Sequence, residues 1–157
     1  MTSQADERRA ARLAAVQALY QMEMMGSGAE EVAQEFVEHR FGELPVAPDA
    51  EFFASILNGV PQHQVEIDRA IAGALSEKWK LERVDSILRA ILRGGVFELV
   101  VRRDVPAKVV IDEYVAVAGA FFGADEPGFV NAALDAIARR KRAAEFGLPT
   151  PDDELDF

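Results

Sequence analysis

At 157 residues, half of them hydrophobic, the chain is long enough for one domain or for two small halves that share a core. It has no cysteine, which excludes disulfides, thiolate metal sites and cysteine nucleophiles, and no apolar run reaches the roughly eighteen residues that a membrane-spanning helix requires. The net charge of −10 argues at first sight against nucleic acid, yet charge is segregated: residues 26–77 carry two basic and ten acidic side chains, residues 78–108 eight basic and four acidic.

No segment alternates with a period of two, whereas helical periods follow one another throughout, so an all-α fold is expected. Ser3 with Asp6 three residues on resembles a capping box; it opens a helix that runs to about Met25 and stops at Gly26. Leu13, Val16, Tyr20 and Met24 form its inward stripe, leaving Arg8 and Arg12 one turn apart on another face with Arg9 beside them. The start MTSQADERRAAR has no apolar signal region, so a cytoplasmic protein is expected.

A second helix spans about Ala29 to Phe41 on Val32, Phe36 and Val37, and the loop GELPVAP follows. From Asp49 a longer apolar segment carries Phe52, Phe53, Ile56, Leu57 and Val60, then Val65, Ile67, Ile71 and Leu75; Pro61 inside it predicts a kink or a division into two helices. His39 and His63 belong to no ligand motif and read as surface residues. Residues 76–81, SEKWKL, look like a link, with Trp79 plugging the seam between halves.

A helix from about Glu82 to Arg102 presents Val84, Ile87, Leu88, Ile91, Leu92, Val96, Leu99 and Val100, too apolar for a surface helix. Gly94 and Gly95 in its middle cost about 1 kcal/mol each relative to alanine, which predicts close approach by another backbone, in this protein or a partner. The next helix opens after Asp104 with Pro106 in its first turn and buries Ile111, Tyr114, Val115, Ala118 and Phe122. Gly123 ends it, Asp125 caps the last helix with Pro127 in its first turn, and Val130, Leu134 and Ile137 form the last buried stripe. Phe129 lies about a hundred degrees from Val130, off that stripe. Residues 139–142 are all basic, whereas residues 143–157 hold five acids and no base, and PTPDDELDF reads as a disordered acidic tail able to screen a basic patch.

Taken together, the arginine cluster leading into AVQALYQME (Ala15 to Glu23), RVDSILRAIL with FEL (Arg83 to Leu99), DVPAKVVIDE (Asp104 to Glu113) and FVNAALD (Phe129 to Asp135) resemble the NusB family of bacterial transcription antitermination factors. The resemblance covers nearly the whole chain, and it is the order and spacing of the pieces that makes it specific. It implies two antiparallel three-helix subdomains, about seven helices in all, around a shared core: one domain over residues 1–145, with halves at about 1–77 and 78–145, then the tail from 146. It also implies a non-catalytic function without cofactor. Such proteins bind the boxA segment of nascent ribosomal RNA together with NusE, a small-subunit ribosomal protein, and the pair joins a complex on RNA polymerase.

On that reading Arg8, Arg9 and Arg12 supply cations to the RNA backbone, where otherwise they would be a solvated helix face. Gln17 and Tyr20 follow in the family motif, although Tyr20 also sits on the expected core stripe. Lys108 and Phe129 occupy family positions implicated in RNA binding and mark the other end of an RNA track. NusE is expected on the second half, at Arg83, Asp85 and Arg89. Many relatives carry Asn-Glu where this chain has Asp112-Glu113, a lysine where it has Gly119, and a longer, lysine-bearing turn where it has Asp125 to Gly128, so RNA affinity without NusE is expected to be weak. Two other readings compete: a purely protein-binding helical scaffold, and a detached module like the N-terminal domain of ribosomal RNA cytosine methyltransferases. Monomer and homodimer are equally compatible with the sequence.

Overall fold

The computed structural model describes residues 2–75, 81 and 84–149. Among these the fold is all-α: α1 (Gln4–Met25), α2 (Ala29–Glu35), α3 (Ala50–Gln62), α4 (Gln64–Ala74), α5 (Ser86–Val100), α6 (Ala107–Phe121) and α7 (Asp125–Lys141). A π turn (Phe36–Arg40) and a 3-10 turn (Phe41–Glu43) continue α2, and a second 3-10 turn (Ala143–Phe146) follows α7. The chain parts into two compact units between Gln62 and His63.

In the first unit α1 begins and ends at the expected signals. Ser3 Oγ accepts from the Asp6 N–H at 3.1 Å, the Ser3 N–H donates to the Asp6 carboxylate at 3.3 Å, and Gly26 closes the helix at φ +68°. Of the expected inward stripe Val16 is fully buried, but the rest of the buried face differs. Ala11, Arg12, Ala14, Ala15, Val16, Ala18 and Leu19 are buried, whereas Leu13 and Tyr20 are only half-buried and Met24 is exposed. Small side chains allow α1 to approach α3 closely, and the larger residues are left at the flank.

Asp49 starts α3, accepting the Phe52 N–H at 3.0 Å, while its own N–H donates to the Glu7 carbonyl at 3.0 Å and so ties this start to α1. Phe53 then packs on Phe36 with ring centroids 5.7 Å apart and meets Phe41 edge-on at 5.0 Å. The π turn changes the register of the expected second helix: Phe36 stays buried, but Val37 faces outward. Pro61 lies in the last turn of α3, and of the two expected outcomes it is the division that occurs, with α4 starting after His63.

In the second unit α4 buries Ile67 and Ile71 and leaves Val65 exposed. The Asp68 carboxylate receives Arg93 bidentately, Nε at 2.9 Å and Nη2 at 3.0 Å, which joins α4 to α5. With this pair, and α4 packed on α5 and α7, the division falls before α4 rather than near residue 77. Trp79 and Arg83 lie outside the described residues. α5 opens at Ser86, later than expected, because Asp85 caps it: Oδ1 accepts the Ile87 N–H at 2.9 Å and the Leu88 N–H at 3.4 Å.

The glycine pair in α5 does accommodate a close approach, but of side chains rather than backbone. A Cβ on Gly94 would stand 3.0 Å from Tyr114 Cε1 and 3.1 Å from its hydroxyl, and one on Gly95 would stand 2.9 Å from Leu134 Cδ1. The Tyr114 hydroxyl donates to Glu98 Oε2 at 2.6 Å, both side chains being fully buried.

α6 buries Ala107, Val110, Ile111, Tyr114, Val117 and Ala118, with Val115 and Phe122 only half-buried. Phe122, in extended conformation, ends it rather than Gly123. Asp125 is the first residue inside α7 rather than its cap; with Glu126 it places negative charge on a helix N-terminus, where the dipole favours it. Val130, Leu134 and Ile137 are buried as the spacing requires.

The basic run 139–142 does not all face solvent. Arg142 is buried, its Nε donating to the Leu99 carbonyl at 2.5 Å and its Nη2 to the carbonyls of Glu98 at 3.2 Å and Arg102 at 3.0 Å, so it caps the end of α5. Its Nη1 donates to Glu145 at 2.6 Å, and the other Glu145 oxygen accepts the Ala107 N–H at 2.9 Å, capping the start of α6. Burial pushes the Glu145 carboxyl up, but the Ala107 N–H and then Arg142 outweigh it and hold the group below the usual carboxylate range. Phe146 and Leu148, expected in the tail, still contact the fold. Arg139 stacks over the Phe146 ring at 4.9 Å and the Leu148 N–H donates to the Ala143 carbonyl at 3.0 Å; residues 150–157 lie outside the described ones.

Candidate nucleic-acid interface

Five of the candidate residues lie on α1, and the structure sorts them into two groups. At 100° per residue, Arg9, Leu13, Gln17 and Tyr20 share an arc of about 80°. Arg9 is exposed and the other three are half-buried. This stripe offers a cation, an amide able to donate and accept, and a phenol ring on one helix face. Arg8 and Arg12 turn instead toward α3, where their guanidinium carbons sit 4.5 and 4.8 Å from the centroid of the same ring, Phe52. Arg12 retains only 3% of its surface, so it is neither a solvated cation nor placed for a phosphate in this conformation. Arg8 is half-buried, and its Nε is covered without a hydrogen-bond partner.

Lys108 and Phe129 belong to the second unit. Lys108 is exposed on the first turn of α6. The Ala107 N–H beside it is already engaged by Glu145, so an approaching phosphate meets the ammonium rather than that amide. Phe129 is half-buried in α7 next to the fully buried Val130, off the core stripe as its angular offset predicts. Asp125 and Glu126, one turn earlier, set negative potential beside it.

Asp85 is exposed and caps α5, while Arg89 Nη1 donates to the carbonyls of Val84 at 2.7 Å and Leu81 at 3.2 Å, fastening the segment that leads into that helix. Both thus hold local structure. Phe52 was absent from the sequence-based candidates: its place among apolar neighbours reads as plain core, and no local signal marks it as a platform for two arginines.

The described fold defines a class: an all-helical protein in two units, whose polar candidate groups are carried on helix faces and helix starts. The chain belongs to the NusB family, whose profile matches residues 9–139. It is 56% identical over 144 residues to the transcription antitermination protein NusB of Maricaulis maris (strain MCS10), covering 88% of this chain and 90% of that one. It is 54% identical to the protein of that name in Caulobacter vibrioides, covering 86% and 94%. Among solved structures, T. maritima NusB matches with a TM-score of 0.72 and 32% identity over 90% of this chain and 97% of that one. A structure of the antitermination factors NusB and NusE in complex with dsRNA matches with a TM-score of 0.74 and 26% identity over 85% and 96%.

Proposed function

We propose that this chain is a transcription antitermination factor that acts in the cytoplasm, without catalysis, by binding a boxA-type segment of nascent ribosomal RNA together with NusE on RNA polymerase. The observation that carries this reading is the alignment, over most of the chain, with relatives named for that role. The partly exposed stripe of Arg9, Gln17 and Tyr20 supports it, since RNA is held by cations along its backbone and by planar side chains against its bases.

The test is binding of boxA RNA, single-stranded and duplex, to the protein alone and with NusE across a range of salt. Affinity should fall with salt and be higher with NusE. Arg9→Ala should lower the magnitude of the log–log slope by about 0.7 on single strands, one phosphate contact, while Arg12→Ala should leave the slope unchanged. No measurable RNA affinity even with NusE would instead favour a purely protein-binding scaffold.

Phe129 is read as a stacking platform for a base. Its replacement by alanine should weaken RNA binding by about 1–3 kcal/mol without loss of helix content, as measured by titration and circular dichroism. Unchanged affinity in a folded variant would remove Phe129 from the interface. NusE is assigned to the start of α5, where Asp85 is exposed.

A further inference from the structure

Two guanidinium groups on one aromatic ring need a reason, because like charges that converge repel each other. Arg8 and Arg12 lie 4.5 and 4.8 Å from the Phe52 centroid, and they are one turn apart on α1. Phe52 is itself fixed on both sides. It is buried in the first full turn of α3, its N–H is held by Asp49, and the Asp49 N–H in turn is held by the Glu7 carbonyl, one residue before Arg8. The start of α3 and the arginine-bearing turn of α1 are therefore locked in register by a backbone bond and a capping bond. The ring cannot slide along α1 with the start of α3 without breaking the Asp49–Glu7 backbone bond.

From this arrangement we infer that Phe52 is a positioning residue for RNA binding: its ring orients Arg8, the partly exposed member of the pair, toward the RNA backbone, while buried Arg12 braces the ring and does not touch RNA. The inference rests on the function proposed above and deepens it. A long flexible arginine loses rotamer entropy on binding, and a ring that already confines Arg8 reduces that loss. The covered Nε of the half-buried Arg8 fits such confinement.

The experiment is a double-mutant cycle on boxA RNA binding with NusE present. Phe52→Leu keeps an apolar side chain but removes the π face; it should lower affinity about threefold to tenfold, the scale of a partly desolvated cation–π contact. Phe52→Tyr keeps the face and should bind like the unmodified protein. In an Arg8→Ala background Phe52→Leu should have no further effect. Equal losses from Phe52→Leu with and without Arg8, or no loss in a protein that Arg8→Ala does weaken, would overturn the inference and leave the functional reading standing. Absence of RNA binding by the unmodified protein would overturn both. A measurement on the unmodified protein guards against misfolding of the leucine variant: on adding RNA, the Arg8 Nε–H NMR signal should move and that of Arg12 should not, and the reverse pattern would sink the inference.

Discussion

Arg142→Ala should destabilise the second unit by about 3 kcal/mol, the upper range for the loss of a buried hydrogen bond to a charged group. The size follows from what the side chain serves. Three carbonyls, of Glu98, Leu99 and Arg102, accept from its guanidinium; those of Glu98 and Arg102 also accept the N–H of Arg102 and of Val105, so the helix-end carbonyl of Leu99 depends on the guanidinium most. Arg142 has 4% of its surface exposed, so water does not readily take its place and the Leu99 carbonyl would carry much of its desolvation cost. Glu145 would lose its cation as well, and with it the carboxylate best placed to hold the Ala107 N–H at the start of α6. Arg142→Lys should recover only part of the loss, because one ammonium cannot reproduce the planar fork that reaches three carbonyls and a carboxylate. Urea denaturation followed by circular dichroism measures the effect; a loss below about 1 kcal/mol would show that the network contributes little to stability.

How much of this could be read from the sequence depended on the range of each signal. Helix starts and stops written in a few adjacent residues were legible: Ser3 with Asp6, Gly26, and the break after Pro61. The face of α1 was not, because alanine fits both core and surface, and a pattern built on the large residues Leu13, Tyr20 and Met24 misses a contact made by Ala11, Ala14, Ala15 and Ala18. The burial of Arg12 and Arg142 was not legible for a related reason. Periodicity assigns an arginine to water, whereas these two are buried by groups distant in sequence, the Phe52 ring and the end of α5. The candidate interface shows the same division. The residues carried over by family resemblance fall on helix faces and helix starts, but that Arg8 and Arg12 turn toward α3 while Arg9 joins Gln17 and Tyr20 is visible only once the two helices meet.

Gly94 combines both situations, because its cost announces a close approach and only the fold shows by what. Gly94→Val should cost roughly 3 kcal/mol, as expected when several atoms are forced into a packed core. Part of the steric penalty would be offset, since any residue with a side chain lowers the unfolded chain's entropy relative to glycine by up to about 1 kcal/mol. The offset cannot win if Tyr114 is unable to retreat. Its ring is fully buried, its Cε1 stands 3.0 Å from where the first added atom would go, and its hydroxyl is held at 2.6 Å by a carboxylate that is itself fully buried. Turning the ring away would leave Glu98 without that donor, so the clash is transmitted into a polar cost rather than relieved. Tyr114→Phe separates the two contributions. Alone it should destabilise by about 1–3 kcal/mol, because Glu98 loses the hydroxyl. In its presence Gly94→Val should cost less than in the unmodified protein, because the ring is no longer tethered and lacks the oxygen that would stand 3.1 Å from the new Cβ. Thermal or urea unfolding of the four proteins in this cycle gives the coupling directly. Strict additivity would mean that the hydroxyl does not pin the ring, and that the glycine is required by ring volume alone.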